Sequence, residues 1–155
     1  MIALSNHYGH YLRVLHWQFD QAVSAALAQM DLTAAQGQII GFLSFRKEPP
    51  CSRDIEEAFQ LSHPTVSGLL SRMEKKGFIE FRSDPADRRC KRVRLDAKGR
   101  ECLAKMEATI ASNEAKLVKD FTEEEKALFA DFLSRAITNL GGSPCRTPFC
   151  KEESD

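Results

Sequence analysis

The stretch Leu61-Ser62-His63-Pro64-Thr65-Val66-Ser67-Gly68-Leu69-Leu70-Ser71-Arg72-Met73-Glu74-Lys75-Lys76-Gly77-Phe78-Ile79 decides the fold. Val66, Leu69, Leu70 and Met73 recur at spacings of three and four, so they line one stripe of a helix. Pro64 suits its first turn, where the missing N–H is not needed, and Gly77 suits a left-handed stop. Because the residue before a proline avoids helical angles, both Ser62 and His63 stay open as the cap. Past Gly77 the apolar period changes to two: Ile79 and Phe81 alternate with Glu80 and Arg82, then Val93 and Leu95 with Arg92 and Arg94. This predicts a hairpin whose connection, Ser83 to Arg89, is turn chemistry with Arg88 and Arg89 at its tip.

Working outward, a short helix is expected from about Ser52 to Phe59, with Ser52 as cap and Asp54, Glu56 and Glu57 near its positive end. Before it, Thr33 and Gln36 have capping-box spacing and open a helix that buries Ile39, Ile40, Leu43 and Phe42 and stops by Pro49-Pro50. The first helix, about Asn6 to Met30, is long and amphipathic, with Tyr8, Tyr11, Leu12, Leu15, Phe19, Val23 and Leu27 on its stripe. Downstream, Asp96 caps a second long helix to about Asp120, carrying Leu103, Met106, Ile110, Leu117 and Phe121. Thr122 to Glu125 then forms a capping box for a last helix to about Leu140, with Leu128, Phe129, Phe132, Leu133, Ala136, Ile137 and Leu140 inward. The fold class is mainly α with a small β hairpin, a single domain over residues 1–140, and residues 141–155 are expected to be a flexible tail.

The chain has 155 residues, enough for one domain with a core that needs no disulfides or metals. Its net charge is zero, yet residues 62–100 carry 11 basic against 5 acidic side chains, leaving 11 and 17 for the rest. A local positive field of this kind is the footprint of a polyanion-binding surface. Neither a membrane span nor a secretory leader is apparent, so a cytoplasmic location is expected, with the five cysteines read first as free thiols.

Two short helices joined by a tight turn, the second leading into a basic hairpin, have the order of a winged helix-turn-helix. Small or polar residues at the start of the second helix, Ser62, His63, Pro64, Thr65, Ser67 and Gly68, let its backbone approach base edges and phosphates in a major groove. Arg72, Lys75 and Lys76 suit phosphate, Arg82 lies on the wing, and Arg88 and Arg89 suit an adjacent minor groove. Asp84 and Asp87 are read as orienting the wing rather than touching DNA.

These residues resemble the MarR family of bacterial transcription regulators. The resemblance runs from about Tyr8 to Leu140 and rests on Leu61 to Ile79, with its Glu74-Lys75-Lys76-Gly77 exit, and on Asp84-Pro85-Ala86-Asp87-Arg88-Arg89 with Val93-Arg94-Leu95 and Gly99. Asp96 stands where the family usually has threonine, and both residues cap helices. The resemblance implies a winged core at about 32–96 and dimerisation helices at about 6–30 and 97–140. It also implies a homodimer on a pseudo-palindromic operator of double-stranded DNA, and repression released by a small, often aromatic, effector. Three long amphipathic helices independently carry more apolar stripe than one small winged domain covers. The family's effector crevice lies where His16, Trp17, Phe42 and Phe45 fall, which makes them candidate pocket residues beside a simpler role in core or dimer packing.

Other readings stay beside this one. Arg88 and Arg89 also fit a solvated loop, and Thr65, Ser67 and Arg72 an ordinary exposed helix face. His63 suits capping, phosphate contact or plain exposure. Cys90 is the candidate redox thiol, because Arg89, Lys91 and Arg92 are expected to favour its thiolate. Peroxide-sensing family members place their cysteine near the start of the first helix, where this chain has none. Cys102 reads as packing, and Cys145 and Cys150 as tail residues. His7 and His10 are spaced for a metal, but His16 falls on another face and no acid or cysteine completes the set, so neither a metal nor a cofactor is expected. An enzyme is not expected either, since no nucleophile, base and orienter share a motif spacing. The alternatives to a ligand-released repressor are a thiol-based redox-sensing regulator and a winged-helix protein-interaction module without DNA binding.

Overall fold

The computed structural model describes residues 7–84 and 90–144. Six helices and one hairpin follow in the order α1 (Tyr8–Ala28), α2 (Ala34–Phe45), α3 (Ser52–Phe59), α4 (His63–Lys75), β1 (Ile79–Ser83), β2 (Lys91–Leu95), α5 (Ala97–Leu117) and α6 (Glu123–Asn139). The expected class, mainly α with a small hairpin, is the one observed. None of the described helices is long and apolar enough to cross a membrane.

Local chemistry explains most of the boundaries. Thr33 accepts from the Gln36 N–H at 3.3 Å while the Gln36 side chain accepts from the Thr33 N–H at 3.0 Å, closing the box that opens α2. Thr122 and Glu125 repeat this reciprocal pair at the start of α6, at 3.2 and 2.8 Å. Asp96 Oδ1 accepts from the Ala97 N–H at 2.7 Å and caps α5. Ser62, with extended angles, is the N-cap of α4, and Gly77 follows its C-terminus at φ +78°, where a side chain would be strained. Among the boundaries that differ from expectation are those of α3 and α5. Cys51 rather than Ser52 caps α3, because Asp54 reaches back to accept from the Cys51 N–H at 2.7 Å. α5 stops at Leu117 rather than near Asp120, and Val118 already leaves helical angles.

The core lies between α2, α4, the hairpin and the start of α5. Ile39, Ile40, Phe42, Ile55, Val66, Leu70, Met73, Phe78, Ile79, Val93 and Cys102 are essentially inaccessible. The antiparallel register Ile79↔Leu95, Phe81↔Val93 and Ser83↔Lys91 turns the apolar side chains inward, and Glu80↔Arg94 and Arg82↔Arg92 share the opposite face. The loop before α3 joins this sheet: the Val93 N–H donates to the Pro50 carbonyl at 2.8 Å, and Cys51 pairs with Arg92 as a lone antiparallel bridge.

Outside the core the long helices are poorly covered. Leu103 and Met106 pack on the core as expected. Leu128 (54% exposed), Phe132 (57%) and Leu140 (87%), expected inward on α6, face solvent, and no α6 residue is buried. Tyr8, Tyr11, Leu12 and Trp17 of α1 are similarly open. The apolar periodicity of both helices is genuine, but nothing among the described residues covers these stripes.

Gly99 sits where the first turn of α5 crosses the backbone of Phe78. A Cβ at this position would stand 2.1 Å from the Phe78 carbonyl oxygen, which also accepts from the Asp96 N–H at 3.0 Å. Since the obstacle is backbone, Gly99→Ala is expected to destabilise the fold by about 1–3 kcal/mol, read by chemical denaturation, despite alanine's better helix propensity.

Candidate nucleic-acid interface

α3 and α4 meet at a turn in which Gln60 takes a left-handed conformation at φ 52°, allowing the chain to reverse within Gln60-Leu61-Ser62. Ile55 of α3 and Val66, Leu69, Leu70 and Met73 of α4 point into the core. With that stripe buried, helical geometry turns Ser62, His63, Pro64, Thr65, Ser67, Arg72 and Lys75 outward, all exposed, and leaves Gly68 half-buried. The exposed face begins with small side chains and ends in positive charge.

Several of these groups have defined partners. Ser62 and Thr65 share a hydroxyl hydrogen bond of 2.8 Å across the first turn. His63 is the first helical residue rather than the cap, and its Nδ1 lies 2.6 Å from Glu56 Oε1, tying α4 to α3. Arg72 Nε donates to the Gly68 carbonyl at 3.1 Å, which holds its guanidinium along the helix surface. Lys76 differs from expectation: its Nζ donates to the Asp31 carboxylate at 2.7 Å and to the Asp31 carbonyl at 2.6 Å, so it anchors the turn after α1. The same hydrogen bond, followed by the Lys76 charge, holds the Asp31 carboxyl below its ordinary pKa.

The hairpin presents a second basic surface. Arg82 donates from Nε and Nη2 to the two oxygens of Glu80 at 2.9 and 3.0 Å, and this partner raises its pKa further. Arg94, opposite Glu80 on the same face, is exposed. Asp84, at the base of the loop, is paired with Arg92. Its Oδ2 accepts from Arg92 Nε at 2.8 Å and Nη2 at 2.7 Å, while Arg92 Nη1 donates to the Pro49 carbonyl at 3.1 Å. One guanidinium thus joins both hairpin strands to the loop before α3. The sequence reading named Asp84 but not Arg92 as its partner; only alternation along β2 hinted at the face Arg92 occupies. Arg88, Arg89 and Asp87 lie outside the described residues, as do Cys145 and Cys150.

For Cys90 the direction of the pKa shift is opposite to the one its basic neighbours suggest. Its thiol pKa is raised, first by burial and then by a hydrogen bond with Cys51, and Arg92 opposes this while its guanidinium is bound to Asp84. Cys102 is fully buried in the core, as expected.

A separate cleft of about 430 Å³ opens between α1, α2 and α5. Its walls include Val23, Leu27, Phe45, Leu103, Met106 and Ile110, with His16, Asp20 and Glu107 at polar positions. His16 Nε2 lies 3.1 Å from Asp20 Oδ2. Of the four candidate pocket residues, His16 and Phe45 line this cleft; Trp17 and Phe42 do not. Trp17 is on the open side of α1, and Phe42 lies in the core, edge-on to Phe59 at 5.4 Å, with the Arg46 guanidinium 4.5 Å from its ring centre. Among the described residues no group of three or more His, Cys, Asp or Glu is placed to hold a metal ion.

The arrangement defines a winged helix-turn-helix protein: α3 and α4 form the two-helix unit, and β1 and β2 form the wing. Residues 30–89 match the profile of the MarR family. The transcriptional regulator PecS of Dickeya dadantii is 24% identical over 123 residues, covering 78% of this chain and 74% of PecS. Two solved structures of the Staphylococcus aureus regulator MepR, each 28% identical and covering 86% of this chain, also match. One is its DNA complex, with 99% of that chain covered and a TM-score of 0.71, and the other is bound to ethidium bromide, with 96% covered and a TM-score of 0.68. The chain is thus similar to MarR-family transcriptional regulators, with the family profile matched over residues 30–89.

Replacing Asp84 by asparagine removes the charge that holds Arg92 across the wing. Amide hydrogen exchange in Ser83 and Lys91 to Val93 is expected to speed up at least tenfold, with exchange in α4 unchanged.

Proposed function

We propose that this protein is a homodimeric, sequence-specific DNA-binding regulator that represses transcription until a small molecule releases it. The observation that carries the reading is the α4 surface: a face of small polar residues ending in Arg72 and Lys75, held outward by an opposite face sealed in the core. Such a helix fits a major groove, where Ser62, His63, Pro64, Thr65, Ser67 and Gly68 approach bases and phosphates while Arg72 and Lys75 neutralise charge. The wing carries Arg82 and Arg94 beside it, and Arg88 and Arg89, in the sequence that connects its strands, suit the neighbouring minor groove. The likeness to a MepR–DNA complex supports the same use of the fold.

The uncovered stripes of α1 and α6 support the dimer, with residues 6–30 and 97–140 as the assembling parts of a single domain over 1–140. Two copies related by a two-fold axis would set their α4 helices against half-sites about 34 Å apart on a pseudo-palindromic operator. The α1–α2–α5 cleft, apolar with Asp20 and Glu107 on its walls, is the effector site, and an aromatic molecule is the chemistry its lining suits. Its walls join α1 and α5, the outer helices, to α2 in the winged part, so occupation changes how these parts meet and therefore the spacing of the α4 helices. By linkage DNA must weaken the effector by the same factor as the effector weakens DNA. The protein works in the cytoplasm, needs no cofactor and catalyses no reaction.

Mobility-shift titration with DNA from upstream of the protein's own gene tests the reading. Arg88→Ala combined with Arg89→Ala should weaken binding by about 2 kcal/mol or more, with the difference shrinking as salt rises. Wild-type affinity in that double variant at matched salt overturns the wing assignment. In sedimentation the wild type should be a dimer at micromolar concentration, and Phe132→Ala should shift it toward monomer by about 2 kcal/mol or more. A stable wild-type monomer refutes the two-half-site arrangement.

A further inference from the structure

We propose that Cys51 and Cys90 form an intramolecular disulfide when the protein meets a hydroperoxide, making the base of the wing loop a site of reversible oxidation. Cys51 directly precedes α3 and Cys90 directly precedes β2, with thirty-eight residues between them in sequence. The fold nevertheless puts them side by side. The loop before α3 meets β2 at a single antiparallel bridge, with Cys51 opposite Arg92 and Pro50 accepting from Val93. Residues two apart on a strand share a face, so Cys90 lies diagonally next to Cys51 on the face that Arg92 occupies. There contact with Cys51 is among the causes that raise the Cys90 thiol pKa.

Both cysteines are half-buried, open enough for a small oxidant, whereas Cys102 is sealed in the core. The surrounding frame is firm: the Asp84 N–H donates to the Cys90 carbonyl at 3.1 Å, and Arg92 holds Asp84 and Pro49 together. Burial and contact with Cys51 push the Cys90 thiol pKa up, which suits Cys90 to the resolving step rather than to the first attack on the peroxide. The Cys51 thiolate attacks one peroxide oxygen, the O–O bond breaks, and the departing oxygen takes a proton to leave as water or an alcohol. The sulfenic acid at Cys51 is then attacked by Cys90, which gives up its proton as the S–O bond breaks and water leaves. Two thiols and one hydroperoxide thus become one disulfide, one water and one water or alcohol, with two electrons passing from sulfur to the peroxide. The ring so closed contains α3, α4 and β1, and ties the start of α3 to the wing.

The test uses the full chain with Cys102, Cys145 and Cys150 changed to serine, treated with hydrogen peroxide. Both remaining thiols should become unreactive to maleimide, the mass should fall by about two units, and a reducing agent should restore both. Peptide mapping should join Cys51 to Cys90, and the thermal midpoint of the oxidised form should rise by several degrees, because a cross-link that suits the native geometry mainly constrains the unfolded chain. Cys51→Ser in the same background should abolish the mass loss. Retention of both thiols, a link between two chains on a non-reducing gel, or a lower thermal midpoint after cross-linking overturns the proposal. None of these readouts depends on DNA binding.

Discussion

Everything at the candidate interface depends on how α4 is rotated about its own axis, and that rotation is set by the burial of Val66, Leu69, Leu70 and Met73. Each fully buried side chain of this size contributes about 1.5–3 kcal/mol relative to exposure. One residue of error along a helix turns its faces by about 100°, enough to drive Ser67 or Arg72 into the core and expose Leu70. The apolar side of α4 therefore specifies its polar side. Ile39 and Ile40 of α2, Ile55 of α3, and Phe78, Ile79 and Val93 from the wing and its approach complete the same cluster, so one core positions both the helix and the hairpin.

Polar contacts then fasten parts that the core alone would leave loose. The Arg92 guanidinium links Asp84 to Pro49, Lys76 closes on Asp31, and His63 meets Glu56. These contacts lie mainly at junctions: wing to loop, end of α4 to the turn after α1, and α4 to α3. They direct geometry more than they add stability, since Asp31 and His63 are largely exposed and water competes for such pairs. Hydrogen-bonding groups spent at junctions are also less available to a polyanion, which separates Lys76 from Lys75 although the two are adjacent.

The long helices answer a different constraint. α5 begins in the winged core, with Gly99 against Phe78 and Cys102 buried, and then runs outward past Leu103 and Met106 to an increasingly exposed end. α1 and α6 expose large apolar side chains of the kind that favours association over isolation in water. The cleft lies where α1 and α5 converge on α2, between this outward apparatus and the core.

The features legible in the sequence were those with local causes. Capping boxes at Thr33 and Thr122, the stop at Gly77 and the change from helical to alternating periodicity at Ile79 involve residues a few positions apart, so spacing alone reveals them. The exposed identity of Ser62, Thr65, Ser67 and Arg72 followed from the apolar stripe of the same helix. The tertiary structure decided whatever depends on residues distant in sequence. Arg92 found Asp84 and Pro49, and Cys51 found Cys90, because a loop before α3 lies along β2. Phe42 went to the core and Phe45 to a cleft although both sit on α2, because neighbours from different segments stand on its two sides. A helical pattern specifies which residues share a face; what that face meets is settled only when chain segments far apart in sequence pack together.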